Sequence, residues 1–393
     1  MGRFVVAAVA VAVLFAPASA QAAPGMLVGA AEDAAKAPTL AEAKAKMDLA
    51  KVAGLDAIRL TAQWRPGETA PLPADLASLQ NAVDAADLDA ITVFLSVYPT
   101  GSSVTPLTAQ ARSQFASFAT SLAQSLPTVQ RFIVGNEPNL NRFWMPQFAP
   151  DGVDLAAPAY EQLLAQTYDA LKTVSPSITV IGGALSPRGN DSILSRKHSP
   201  TTFIADLGKA YRASGRTRPI MDEFSLHPYE DNSSVPPDFP HPLSTTISLA
   251  DYPKLVALLG KAFDGTAQAG AALPIVYDEF GVQSTIPAAK AIDYQGIEPA
   301  TTHPVSEGLQ GTYYAEALAL AECQPTVTGI LIFHVSDENQ LDRWQSGIYY
   351  ADDSPKSSLP VVERAIQSLR SGGVGPCSIA GAKAFAARSA AGR

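Results

Sequence analysis

Short runs of consecutive apolar residues alternate along the whole chain with longer stretches in which apolar side chains recur every third or fourth position. Eight of the short runs read as strands: Met26 to Ala30, Ala57 to Leu60, Ala90 to Val97, Arg131 to Gly135, Thr179 to Gly183, Glu223 to His227, Ile275 to Glu279 and Gly329 to Phe333. Between them lie helical patterns such as "TLAEAKAKMDLAKVAG", "ARSQFASFATSLAQSL", "YEQLLAQTYDALKTV" and "EGLQGTYYAEALALAE". Strands that are apolar on both faces need cover on both sides, and a helix after each strand supplies it, so the pattern predicts a parallel sheet. Eight such units closing on themselves predict a single-domain (β/α)8 barrel over residues 24–379. An open doubly wound sheet is the alternative, but the phosphate loops GxGxxG and GxxxxGK[ST] that often accompany it are absent. The Pro- and Ser-rich stretch from Glu230 to Leu249 reads as one long βα loop, and residues 380–393 as a frayed tail.

The first 23 residues change the picture of where the chain works. One arginine, an apolar run from Phe4 to Ala16 and the small residues Ala18-Ser19-Ala20 make a secretory signal peptide. The apolar run is short of the roughly 20 residues a membrane span needs. A secreted protein, extracellular or associated with the cell wall, is therefore expected, as a monomer. The net charge of −9 argues against nucleic acid and anionic membrane as partners. Two cysteines, Cys323 and Cys377, suit an exported chain with one disulfide that pins the C-terminal segment. Five scattered histidines, without HExxH or a cysteine cluster, predict no metal and no cofactor. GxSxG is also missing, which weighs against an esterase.

Three strands carry a glutamate, and barrel geometry separates them, because reacting groups stand at the C-terminal strand ends. In "RFIVGNEPNL", Glu137 precedes Pro138, which pushes its predecessor toward extended geometry and ends the ladder. In "PIVYDEFGVQ", Glu279 again stands at a strand exit. In "IMDEFSLHPY", Glu223 lies four residues before His227, roughly 13 Å lower at about 3.3 Å per residue, and takes a structural role. Asp278 points away from Glu279 by strand alternation and reads as structural too. Two carboxylates at one barrel mouth are the minimum apparatus for hydrolysing a glycosidic bond. Asn136 would meet the sugar 2-hydroxyl, and Arg59 or Tyr229 would hold the nucleophile in place.

These residues resemble the cellulase-like families of glycoside hydrolase clan A, and the resemblance spans nearly the whole chain after the signal. It implies Glu137 as acid/base, Glu279 as nucleophile, Asn136 as 2-hydroxyl partner, and substrate contacts from Arg59, His227 and Tyr229. Family 5 would place a His at the end of strand three, where "SVYPTG" supplies Tyr98, and a Trp at the end of strand eight, where "LIFHVSDE" supplies Phe333 and His334. Family 39 is also open, given "SLHPY" and "NEPN". The expected activity is retaining hydrolysis of β-glycosidic bonds in a polysaccharide or oligosaccharide. A non-catalytic carbohydrate-binding barrel and a transglycosylase are the alternatives.

Trp64, Trp144 and Trp344 all follow strands, where flat apolar faces can stack on pyranose rings. Asp337, Glu338, Asn339, Glu32 and Asp33 are either sugar ligands or solvated loop residues.

Overall fold

The computed structural model describes residues 25–392, and the expected signal segment, residues 1–23, lies outside them. Its strands are β1 (Leu27–Ala31), β2 (Ala57–Trp64), β3 (Thr92–Pro99), β4 (Arg131–Val134), β5 (Thr179–Leu185), β6 (Glu223–Leu226), β7 (Ile275–Phe280) and β8 (Val327–Phe333). Each pairs in parallel with the next, and β8 closes on β1 through five residue pairs, so the sheet is a barrel with no edge. The helices that cover it are α1 (Leu40–Val52), α2 (Pro73–Leu88), α3 (Ala109–Ser125), α4 (Ala156–Val174), α5 (Pro200–Ala213), α6 (Tyr252–Phe263), α7 (Glu307–Glu322), α8 (Leu359–Arg370) and α9 (Ile379–Ala391). Ala90, expected in β3, sits instead in the turn after α2 at φ +52°. No helix among the described residues is long and apolar enough to cross a membrane.

Local chemistry starts the helices where the 3.6-residue pattern begins. Thr39 and Glu42 form a reciprocal capping box on α1, and Thr108, Ser199 and Ser306 accept from the first turns of α3, α5 and α7. Period-two alternation then sorts the strands. Ala57, Phe94, Ile133, Ile181, Val276 and Leu331 fill the barrel interior, while the opposite faces of the strands pack under the helices. Two residues further along β2 and β3, the same inward face carries Arg59 and Ser96, so the apolar plug ends and a polar layer begins.

Glu223 lies at the bottom, where both its oxygens accept from Arg131 Nη1 at 2.9 Å, and Arg131 also stacks on Phe94. The C-terminal segment is not the frayed tail read from the sequence. It forms α9, with Phe385 and Ala386 buried against the rest of the barrel. The pattern I-A-G-A-K-A-F-A-A-R is alanine-rich and weakly amphipathic, so its helical signal is carried by packing rather than by charge contrast. Cys323, which caps the end of α7, is disulfide-bonded to Cys377 just before α9, with a Cα separation of 5.2 Å.

Candidate active site

At the C-terminal end of the strands opens a cleft of about 670 Å³, lined among others by Arg59, Tyr98, Asn136, Glu137, Tyr229 and Glu279. Glu137 reaches it from the exit of β4 through an uncommon backbone. Gly135 turns at φ +95°, where a Cβ would lie 2.9 Å from the Tyr160 ring. Glu137 itself has φ +40°, left-handed rather than the extended geometry expected before Pro138. Such a conformation costs of order 1 kcal/mol or more and persists where neighbours hold it. Here the Glu137 N–H donates to Ala184 O at 2.7 Å, and Tyr160 OH ties β4 to β5 by donating to Val134 O and accepting from Gly183 N.

Glu279 is held at both oxygens. Arg59 Nη1 donates to Oε1 at 2.6 Å and Tyr229 OH to Oε2 at 3.0 Å. Arg59 Nη2 also donates to Asn136 Oδ1 at 2.8 Å and to Ser96 at 3.1 Å. Arginine can only donate, so the asparagine oxygen must face it, which leaves Nδ2 of Asn136 toward the cleft. Burial alone would lower the Arg59 guanidinium, but the charges of Glu279 and Asp278 more than offset that and raise it. Burial also drives the Tyr229 phenol far above its ordinary value, reinforced by the Glu279 charge, so it remains a donor.

His227 stands beneath the cleft, not in its wall. The ring is fully buried. Its Nδ1 lies 3.1 Å from Glu137 Oε1 and 3.4 Å from Glu279 Oε2, and its Nε2 forms an ion pair with Asp278 at 3.3 Å. Burial pulls the imidazole down, but the charges of Glu279 and Asp278, with the hydrogen bond to Glu137, win and raise it to about 10. It is therefore a support of the two carboxylates, where a substrate contact was expected. Asp278 also departs from its expected place. It lies inside the barrel against His227 and, at 3.2 Å, Arg59 Nε. Burial would raise its carboxyl, and the two cations hold it below its ordinary value instead.

The three tryptophans divide. Trp344 lines the cleft, 4.8 Å from the Tyr229 ring and 5.4 Å from that of Phe333. Trp64 and Trp144 are buried away from it: Trp64 packs edge-on to Phe115 and donates to Glu68 O, and Trp144 packs edge-on to Tyr160. Tyr98 lines the cleft and is raised by burial, partly countered by Arg59. Glu32 and Asp33 border the cleft, but backbone N–H groups occupy their carboxylates, from Ala34 and Ser336 in one case and from Thr61 in the other. Asp337 is neither solvated nor a cleft residue, because Lys356 and Tyr294 bury it in a network under the last βα loop. Sequence reasoning did not select Phe143, Arg142, Arg188 or Asp342, which also line the cleft. Their only signal is a position on loops that follow strands. Among the described residues no group of three or more His, Cys, Asp or Glu could hold a metal ion.

No protein-family model matches the chain, and no curated protein matches it in sequence. Solved structures do match in shape. A glucosidase from Croceicoccus marinus superposes with a TM-score of 0.59 at 13% identity, over 89% of this chain and 68% of its own. A family 39 β-xylosidase from Caulobacter crescentus gives 0.53 at 17% identity, over 90% and 73%. The β-glucuronidase 2 of Bacteroides uniformis gives 0.57 at 13% identity, over 89% of this chain but only 37% of its own, so the chain spans little more than a third of that enzyme. At these identities the likenesses show the fold, a (β/α)8 barrel that the chain shares with these glycosidases.

Proposed function

We propose that the protein is a secreted retaining glycoside hydrolase acting on β-linked polysaccharides or oligosaccharides. One observation carries the reading: a single imidazole nitrogen contacts both Glu137 and Glu279, at 3.1 and 3.4 Å. The two oxygens that face this nitrogen are therefore at most ~6.5 Å apart, no further than the lower edge of the range in which a water fits between nucleophile and sugar, which supports direct attack. Glu279 Oε attacks the anomeric carbon while Glu137 gives its proton to the leaving oxygen. In the second half a water attacks the same carbon, the ester bond to Glu279 breaks, and the water's proton passes to Glu137. Arg59 and Tyr229 fix the nucleophile, and Asn136 Nδ2 supports the 2-hydroxyl as charge develops. The β-glucuronidase 2 of Bacteroides uniformis, of the same fold, was solved covalently bound to cyclophellitol-6-carboxylate aziridine.

The test is a panel of β-linked glycans and aryl β-glycosides, with proton NMR of the first product anomer. Retention with a 2-fluoro glycoside trapped on Glu279 is expected. An initial α-anomer from a β substrate would mean inversion and end the assignment. Binding without release of sugar would identify a non-catalytic barrel.

A further inference from the structure

Beneath the two proposed reacting carboxylates lies a closed set of charges. His227 is faced by Glu137 after β4 and by Asp278 and Glu279 on β7, with Arg59 on β2 behind Asp278 and Glu279, and the Tyr229 ring edge-on. Nε2 faces Asp278 and Nδ1 faces Glu279 Oε2, ionised carboxylates that accept and never donate, so both nitrogens need a hydrogen and the ring is an imidazolium, to which the neutral Glu137 carboxyl turns its carbonyl oxygen. A buried imidazolium needs a buried counter-charge that chemistry does not consume. Asp278, wholly buried, touching His227 and Arg59 and absent from the cleft wall, is that charge.

On the double-displacement reading above, we propose that Asp278 is a positioning residue that acts through His227 to keep this cluster neutral in both halves of the reaction. In the free enzyme Arg59 and His227 balance Asp278 and Glu279, with Glu137 protonated. When the Glu279 oxygen bonds to the anomeric carbon its charge is lost, and Glu137, having given its proton to the leaving oxygen, carries the charge in its place. The negative charge has moved from one side of His227 Nδ1 to the other, and the sum is unchanged. The imidazolium thus favours the ionised Glu137 in the intermediate, when it must accept a proton from water. Without Asp278 the ring loses its fixed counter-charge and gives up its proton more easily, and Glu137 then faces a neutral ring.

Two measurements on the folded, full-length protein decide this. Nitrogen NMR of labelled histidine should show His227 as an imidazolium at pH 7 to 8 in the parent and deprotonating at lower pH in Asp278→Asn; a neutral ring in the parent would overturn the proposal, whether or not any glycoside is turned over. With a dinitrophenyl β-glycoside that the parent hydrolyses, Asp278→Asn should displace the limbs of the pH–rate profile by about one pH unit or more, the acid limb downward because a buried negative charge is lost while the ring is still protonated. A lower rate with unmoved limbs would reduce Asp278 to a structural role and refute the proposal. His227→Gln carries the same test if Asp278→Asn does not fold. A parent with retaining turnover and unmoved variants sinks this inference alone, whereas inversion by the parent sinks the functional reading.

Discussion

Substituting Glu223 by Gln tests the rule that position along a strand, rather than residue type, separates the chemical carboxylates from the structural one. Breaking a buried ion pair by removing one partner costs about 3–5 kcal/mol. Two features reduce that here. Burial raises the Glu223 carboxyl above its ordinary value in spite of Arg131, so the pair recovers only part of its desolvation. Arg131 is also a quarter exposed and can rehydrate once unpaired. About 1–2 kcal/mol of net loss remains. With an unfolding entropy of about 2.1 cal/mol/K per residue, a barrel of this length should lose about 1–3 °C in Tm. Activity per folded molecule should hold, because Glu223 lies roughly 13 Å below His227, which itself stands beneath the cleft. Thermal melts and kcat normalised to folded protein read both quantities, with Glu279→Gln as the folded variant without turnover. A Glu223→Gln protein that melts normally and is dead, beside an active Glu279→Gln, would refute the reasoning.

The tryptophans should separate in the same way. Trp344→Ala should raise KM at least several-fold with little change in Tm, whereas Trp64→Ala should cost about 3–5 kcal/mol because it empties a buried site; equal effects on KM from both would show that the cleft assignment is wrong. Breaking the Cys323–Cys377 bond by Cys323→Ser opens a crosslink spanning 54 positions and should cost about 4 kcal/mol in the chain-entropy model, read by chemical denaturation, while thiol titration of the unfolded, unreduced parent should find no free thiol. His227 is raised from 6.5 to about 10 in the folded protein, so its contribution is fully present below pH 6.5 and is lost as pH rises through about 10. Tm should fall over that window, and His227→Gln should flatten the decline; a Tm that rises from pH 7 to 10 would contradict the buried imidazolium.

Much of the barrel is legible in the sequence, because eight doubly apolar runs separated by helical patterns admit few other arrangements. Several of the errors treat distance along the chain as if it gave direction in space. Trp64 follows the expected end of its strand, but β2 continues to that residue and points it into the layer against α3. Trp144 stands in a loop that folds down onto Tyr160. His227 is the residue after β6, and the cleft floor there is formed by the two carboxylates above it. Arg59 and Tyr229 were readable as partners of the Glu279 carboxylate, and Asn136 as the polar neighbour of Glu137 at the exit of β4.

Asp278 was misplaced for a deeper reason, and the same reason explains how both carboxylates meet. Between Tyr277 and Phe280, three steps of β7 pass two steps of β8, from Ile330 to Ile332. One residue is extra, the strict alternation lapses, and consecutive Asp278 and Glu279 can both approach the barrel axis at different heights. The β5 strand does the same beside β4. Three steps from Gly182 to Leu185 pass two on β6, and the slack falls on Gly183 and Ala184 at φ +96° and +46°. There Ser225 Oγ accepts from Ala184 N, and the Ala184 carbonyl is turned to receive the Glu137 N–H. A Cβ on Gly183 would lie 2.6 Å from Ser225 O, so only glycine permits this path. Each carboxylate is thus aimed by a lapse of period in or beside its strand. A reading built on strict alternation finds the two glutamates by their place at strand exits, and misses the aspartate that the same irregularity turns inward beneath them.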